Sequence, residues 1–172
     1  RDSQGVQEVL VSHLRGRAGP CDAVAVVVAG DLARQHNLEG CLALDRDLDV
    51  QNHVAESRQA SRQMGHQTAR VAAALTNDPF LTDYLATIES LQTPGHHAVS
   101  FGMSGGVIGW EPEQAAAAFL FTTASQMVGA ATRLVPLGQL DAQKILWSVG
   151  PLIAGLAREC LGKEPQDIWS CT

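Results

Sequence analysis

The sequence predicts an all-α protein, a single-domain bundle of roughly eight helices. Three observations predict it. Apolar residues recur at i, i+3, i+4 and i+7 in run after run, the period of one helical face. The runs are divided by proline, glycine and asparagine placed as helix stops and starts, with no sign of alternating strands. Alanine is abundant and aromatics make up only 5% of the chain, which suits closely packed helices. The 172 residues fit one domain, and a chain of that size buries about 68–70% of its unfolded surface without disulfides or a structural metal.

Taken in order, Val6, Val9, Leu10, His13 and Leu14 share the first helical face, and Gly16 to Pro20 is expected to end that helix. Ala23 to Val28 is apolar and valine-rich. It suits a buried strand or a buried helix, and helix is preferred because the run continues through Arg34 and no second strand can pair with it. His36-Asn37 is a stop, and Gly40 to Val50 reads as a third helix. Val54 to Thr76 is a long helix with a stripe of Ser57, Ala60, Ser61, Met64, Thr68, Val71, Ala72 and Leu75, small enough to admit a close neighbour. Asn77 closes it, and Asp78-Pro79 supplies an N-cap and a first-turn proline for a helix with Leu81, Tyr84, Leu85, Ile88 and Leu91 inward. Thr93-Pro94-Gly95 is a turn before a central small-residue helix, His96 to Ile108. Pro112 opens the next helix, whose face runs from Ala116 through Phe119, Leu120, Thr123 and Met127 to Leu134. The last stripe is Ala142, Ile145, Leu146, Val149, Leu152, Ile153 and Leu156, with a kink expected near Val149-Gly150 from Pro151.

A net charge of −6 argues against a nucleic-acid footprint and against an anionic membrane surface. No apolar run reaches the ~18 residues of a membrane span. Cys21, Cys41, Cys160 and Cys171 are far apart and form no C-x-x-C pair, so reduced thiols in a cytoplasmic protein are expected, with no metal site and no cofactor.

The residues offer little catalytic chemistry. Gly102, Gly105, Gly106 and Gly109 lie among Phe101, Met103, Val107 and Ile108, which favours close helix packing over a phosphate cradle. His96 and His97 are adjacent, so on a helix they diverge by about 100° and do not share one ion easily. At a helix start a ring there is placed to cap backbone N–H groups. His13 reads as a core histidine, and the scattered carboxylates as a solvated face. No nucleophile-elbow sequence is present, although counting residues leaves a Ser/His/Asp arrangement open. No catalytic residue is assigned.

The joint Arg133 to Lys144 carries more information. Pro136 and Gly138 interrupt the helical pattern there. Arg133 falls in the last turn of one helix and Asp141 in the first turn of the next, each favourable against the helix dipole by roughly 0.3–1 kcal/mol. Gln139, Gln143 and Trp147 share a face. Amides and an arginine at one corner, with no nucleophile, make a recognition surface.

The run R-L-V-P-L-G-Q-x-D-x-Q-K over this joint resembles the signature of the urease accessory protein UreF family. Arg62-Gln63-Met64-Gly65, Pro94 to Gly102 and the alanine-rich helix before Arg133 agree with it in order and spacing, over roughly residues 5 to 172. The resemblance implies a non-catalytic, all-helical adaptor that tends to form homodimers. It binds a second accessory protein of the UreD/UreH type, recruits the GTPase UreG and serves nickel delivery to apo-urease. It implies partner-binding residues Arg133, Gln139, Asp141, Gln143 and Lys144, with Arg62 and Gln63 as a weaker second patch. Arg133 has three readings: an ordinary helix-end cation, a fork holding a carboxylate or carbonyl, and, least favoured, an arginine finger toward the GTPase. The family carries a glycine-rich segment before this region and a basic tail after it. The chain is therefore expected to be short at both ends, to fold, and to bind the UreD/UreH-type partner poorly. A helical small-ligand effector domain is the alternative, and it would need a polar-lined cavity.

Overall fold

The computed structural model describes residues 2–169. Its elements are α1 (Asp2–His13), a π-helical stretch (Leu14–Ala23), α2 (Val24–Arg34), α3 (Leu38–Gln51), α4 (Ala55–Thr76), α5 (Pro79–Glu89), α6 (His97–Val107), α7 (Pro112–Leu134), α8 (Gln139–Glu159) and a short 3-10 turn (Pro165–Asp167). Among the described residues there is no strand, and the all-α expectation of roughly eight helices holds. Gly16 to Pro20 do not end the first helix. They sit inside the π-helical stretch that carries α1 into α2 without a break.

The core is built around α2 and α6. Every residue of α2 from Val24 to Gly30 is buried, so the valine run is a helix apolar all round, packed on every side. α6 crosses it at glycines. A Cβ on Gly102 would lie 2.3 Å from the Val26 carbonyl oxygen, and one on Gly106 2.4 Å from that of Gly30. On the other side α4 meets the entry to α6 at Gly65, where a Cβ would lie 2.0 Å from the Gly95 oxygen. The glycines thus serve close packing, as the sequence indicated. α7 and α8 form a helical hairpin across the four-residue link Val135 to Gly138, which Leu137 anchors in the core. α8 runs unbroken through Pro151.

Caps follow the sequence in places. Asp78 accepts from the backbone N–H groups of Phe80 and Leu81, with Pro79 in the first turn. Asn77 takes a left-handed conformation at the end of α4, and Asn37 caps α3 through Gly40.

Four expected faces turn out differently. Val9 is exposed while Leu10 and Leu14 are buried. Leu91 lies past the end of α5 with φ 59° and stands in solvent. Ala130 and Leu134, at the end of the α7 face, are exposed. In α4 the buried residues are Gly65, Ala69 and Ala73, whereas Met64, Val71 and Leu75 of the expected stripe are exposed. The reason is size: backbone contact with α6 requires glycine and alanine at the crossing, and the larger side chains fall on the flank. Cys21, Cys41 and Cys160 are buried free thiols, each pushed up to about 12 chiefly by desolvation. Cys171 lies outside the described residues.

Candidate functional site: a docking corner and a polar knot

Arg133 occupies the last turn of α7 and Asp141 the first turn of α8, as the dipole argument requires. Arg133, Gln139, Asp141, Gln143 and Lys144 are all exposed. Lys144 Nζ donates to Asp141 Oδ1 at 3.0 Å, an exposed pair worth about 0–1 kcal/mol. Arg133 has no carboxylate within ion-pair distance among the described residues. Between these polar groups stand apolar side chains that no element covers: Leu134 is 82% exposed, Leu140 70% and Trp147 88%. At 100° per residue, Gln139, Gln143, Trp147 and Leu140 fall within about 100° of arc on α8. The opposite face holds Ala142, Ile145, Val149, Ile153 and Leu156 in the core. Exposed large apolar groups ringed by amides and charges have the anatomy of a protein interface.

The second patch behaves differently. Gln63 is exposed, but the Arg62 guanidinium forks onto Asp49, with Nε at 2.9 Å and Nη2 at 2.6 Å from Oδ1. Asp49 Oδ1 also accepts from His96 Nε2 at 2.9 Å. Burial pushes Asp49 up, yet the hydrogen bonds from Arg62 and His96 outweigh it and hold the carboxyl below its usual range. His96 Nδ1 lies 3.0 Å from Ser61 Oγ, and Ser61 Oγ accepts the His97 backbone N–H at 3.2 Å. Beside this, fully buried Asp45 accepts from Thr93 Oγ1 at 2.6 Å, Gly95 N at 2.6 Å and His96 N at 2.7 Å. The expected capping of α6 by a histidine ring is therefore replaced by capping from Asp45 and Ser61, while the His96 ring braces α3 against α4. Asp45 is the polar residue that the sequence reading missed, having taken it for a solvated carboxylate. The available signal was its register: Cys41, Leu44 and Leu48, all buried, place Asp45 on the apolar face of α3.

Ser61, His96 and Asp49 are the residue types of a hydrolytic triad. Their wiring is that of a brace. The serine meets Nδ1 and the carboxylate Nε2, the reverse of the protease arrangement. The Asp49 carboxylate is shared with Arg62, and Ser61 already accepts a helix N–H. Among the described residues no group of three His, Cys, Asp or Glu side chains could hold a metal ion, and no helix is long and apolar enough to cross a membrane.

The UreF family model matches residues 1–150. The chain belongs to the UreF family. Similar proteins include the urease accessory protein UreF of Trichodesmium erythraeum, 31% identical over 159 residues, covering 92% of this chain and 68% of that one. The UreF of a Bacillus species is 26% identical over 152 residues, covering 88% and 67%. UreF 2 of Brucella canis is 25% identical over 169 residues, covering 98% and 69%. The chain thus spans about two thirds of the length of these relatives. Urease accessory proteins of this kind are non-catalytic maturation factors, so family membership assigns a role in urease maturation and not an enzyme.

Proposed function

We propose that this chain is the adaptor of a urease-maturation assembly, and that the α7–α8 corner is its docking surface. The observation that carries the reading is the exposure of Leu134, Leu140 and Trp147 amid Arg133, Gln139, Asp141, Gln143 and Lys144. The corner would bind a UreD/UreH-type accessory protein or the GTPase UreG, bringing both to apo-urease for nickel insertion in the cytoplasm. A homodimer of the adaptor would present two such corners. An adaptor acts on a GTPase by binding one nucleotide state better than the other, and it need add no atom to hydrolysis. Arg62 supports the second patch mainly by ordering it, because its fork is taken by Asp49; Gln63 is left as the outward group.

The test is capture of purified accessory protein and GTPase by the wild-type chain, Trp147→Ala, Arg133→Glu and Gln143→Ala. Loss of an exposed aromatic anchor is expected to weaken binding by about tenfold or more, with urease activation falling in parallel. Wild-type binding by all three variants, with folding intact, would remove the corner from the assembly. Light scattering on the isolated chain reports the dimer.

A further inference from the structure

A polar cavity of about 230 Å3 lies where several elements converge. His13 comes from the end of α1, Arg17 and Asp22 from the π-helical stretch, Asn52 from the C-cap of α3, His97 from the start of α6 and Gln126 from α7. At ~30 Å3 per water in the liquid it has room for roughly eight waters, less than a drug-sized pocket. Its polar groups lack partners within the chain. Asn52 is 3% exposed. Its backbone oxygen accepts from Arg58, but its side-chain amide makes no hydrogen bond among the described residues. Among those residues the one fully enclosed polar side-chain atom without a partner is His66 Nε2. The Asn52 amide therefore reaches open space, and the cavity is the space beside it. The His97 ring is held by Phe101 and Phe119, with centroids 6.0 and 5.2 Å away, and not by a hydrogen bond of its own among the described residues. Arg17 Nε stands 3.6 Å from Asp22 Oδ1, an ion pair too long for a hydrogen bond.

We propose that this cavity binds a small uncharged molecule of the carboxamide class, its carbonyl oxygen accepting from Arg17 and its NH2 group donating to Asp22. Charge selects the class. Arg17 and Asp22 balance each other, and a neutral Asp22 would leave the guanidinium uncompensated. Burial lowers both His13 and His97, so at neutral pH the two rings carry no charge. The cavity thus has no net charge to hold an ion, and an anion or a cation would bring an unbalanced charge out of water. Hydrogen bonding selects within the neutral class. A guanidinium N–H beside a carboxylate oxygen offers one donor and one acceptor, and the edge of an amide offers the reverse pair. An ether or a ketone has no donor for Asp22. Water satisfies the same groups, but a molecule that reproduces those bonds while releasing ordered waters has the advantage. The cavity shares no residue with the α7–α8 corner, so it stands or falls apart from the docking reading.

The experiment titrates the chain at neutral pH with acetamide, acetate and acetamidinium, near-isosteres that differ in charge. The ring C–H signals of His13 and His97 and the side-chain NH2 signal of Asn52 in NMR spectra report on the cavity. Acetamide is expected to shift all three signals saturably. Both ions are expected to bind about tenfold or more weakly, the loss of one charge-assisted hydrogen bond. Asp22→Asn removes the balancing charge and is expected to turn the preference to acetate. Circular dichroism checks its fold, and if it does not fold the wild-type titration alone decides. Shifts that do not saturate would mean that the cavity holds only water, and equal affinity for all three probes would mean that charge is not read; either overturns the proposal. Tighter binding of an ion by the wild-type chain overturns the neutral class. A folded Asp22→Asn chain that still prefers acetamide overturns the pairing with Arg17 and Asp22.

Discussion

Asp45 shows how much one residue can fix. Its two carboxylate oxygens face three donors from the Thr93–His96 turn, so both oxygens must accept. In Asp45→Asn one of them becomes an NH2 group. Placed on either side, it opposes an N–H or O–H that has no other partner. The expected loss is about 2–4 kcal/mol, the range for breaking a buried charge-assisted set. It should appear as a lower urea midpoint with an unchanged slope, and a midpoint within error of wild type would mean the turn holds without the carboxylate. The periodicity of α3 put Asp45 on a buried face, but its partners lie about fifty residues on, and sequence spacing carries no trace of a contact at that range. The α7–α8 residues were readable for the opposite reason. Arg133, Gln139, Asp141, Gln143 and Lys144 sit at the two ends of one short link, so helix-end chemistry alone placed them together.

At the scale of elements, α6 is held by what its neighbours lack. Gly102→Ala would set a methyl group 2.3 Å from a carbonyl oxygen of α2, and backbone on both sides of that contact leaves no flexible end to move. α2 and α6 must separate, at a cost of about 1–3 kcal/mol or more. Gly129→Ala, which meets nothing within 4 Å, should be neutral or slightly stabilising from helix propensity. Thermal melts of the two variants check this pair, and equal melting temperatures would contradict the glycine crossing. The same crossing explains the misreading of α4. A helical period marks a stripe that favours cover, and Met64, Val71 and Leu75 form such a stripe. It does not say that a neighbour will instead choose the face where Gly65, Ala69 and Ala73 let two backbones meet. The π-helical stretch was hidden in a similar way, since Gly16 to Pro20 has the composition of a stop and only packing against α7 and α8 carries the helix through.

The whole molecule has a predictable response to acid, set by where its histidines lie. Burial lowers both His13 and His97; for His13 the Asp22 charge opposes that effect and Arg17 adds to it. In the unfolded chain both imidazoles take up a proton near the ordinary value of 6.5. In the folded chain they do so only at lower pH. Below 6.5 the unfolded state therefore binds more protons, and stability declines as pH falls from there through the folded values, while above 6.5 this contribution is complete. Asp22 acts in the reverse sense from its ordinary value of 3.8 upward, because desolvation raises it against the pull of Arg17 and His13. The His97→Asn, His13→Asn double variant removes the histidine contribution: it should lose the decline that begins below pH 6.5. Urea midpoints at pH 7.5 and 5.5 measure it: on going from 7.5 to 5.5 the wild-type midpoint should fall relative to the variant's, and an equal change in both would contradict the histidine account.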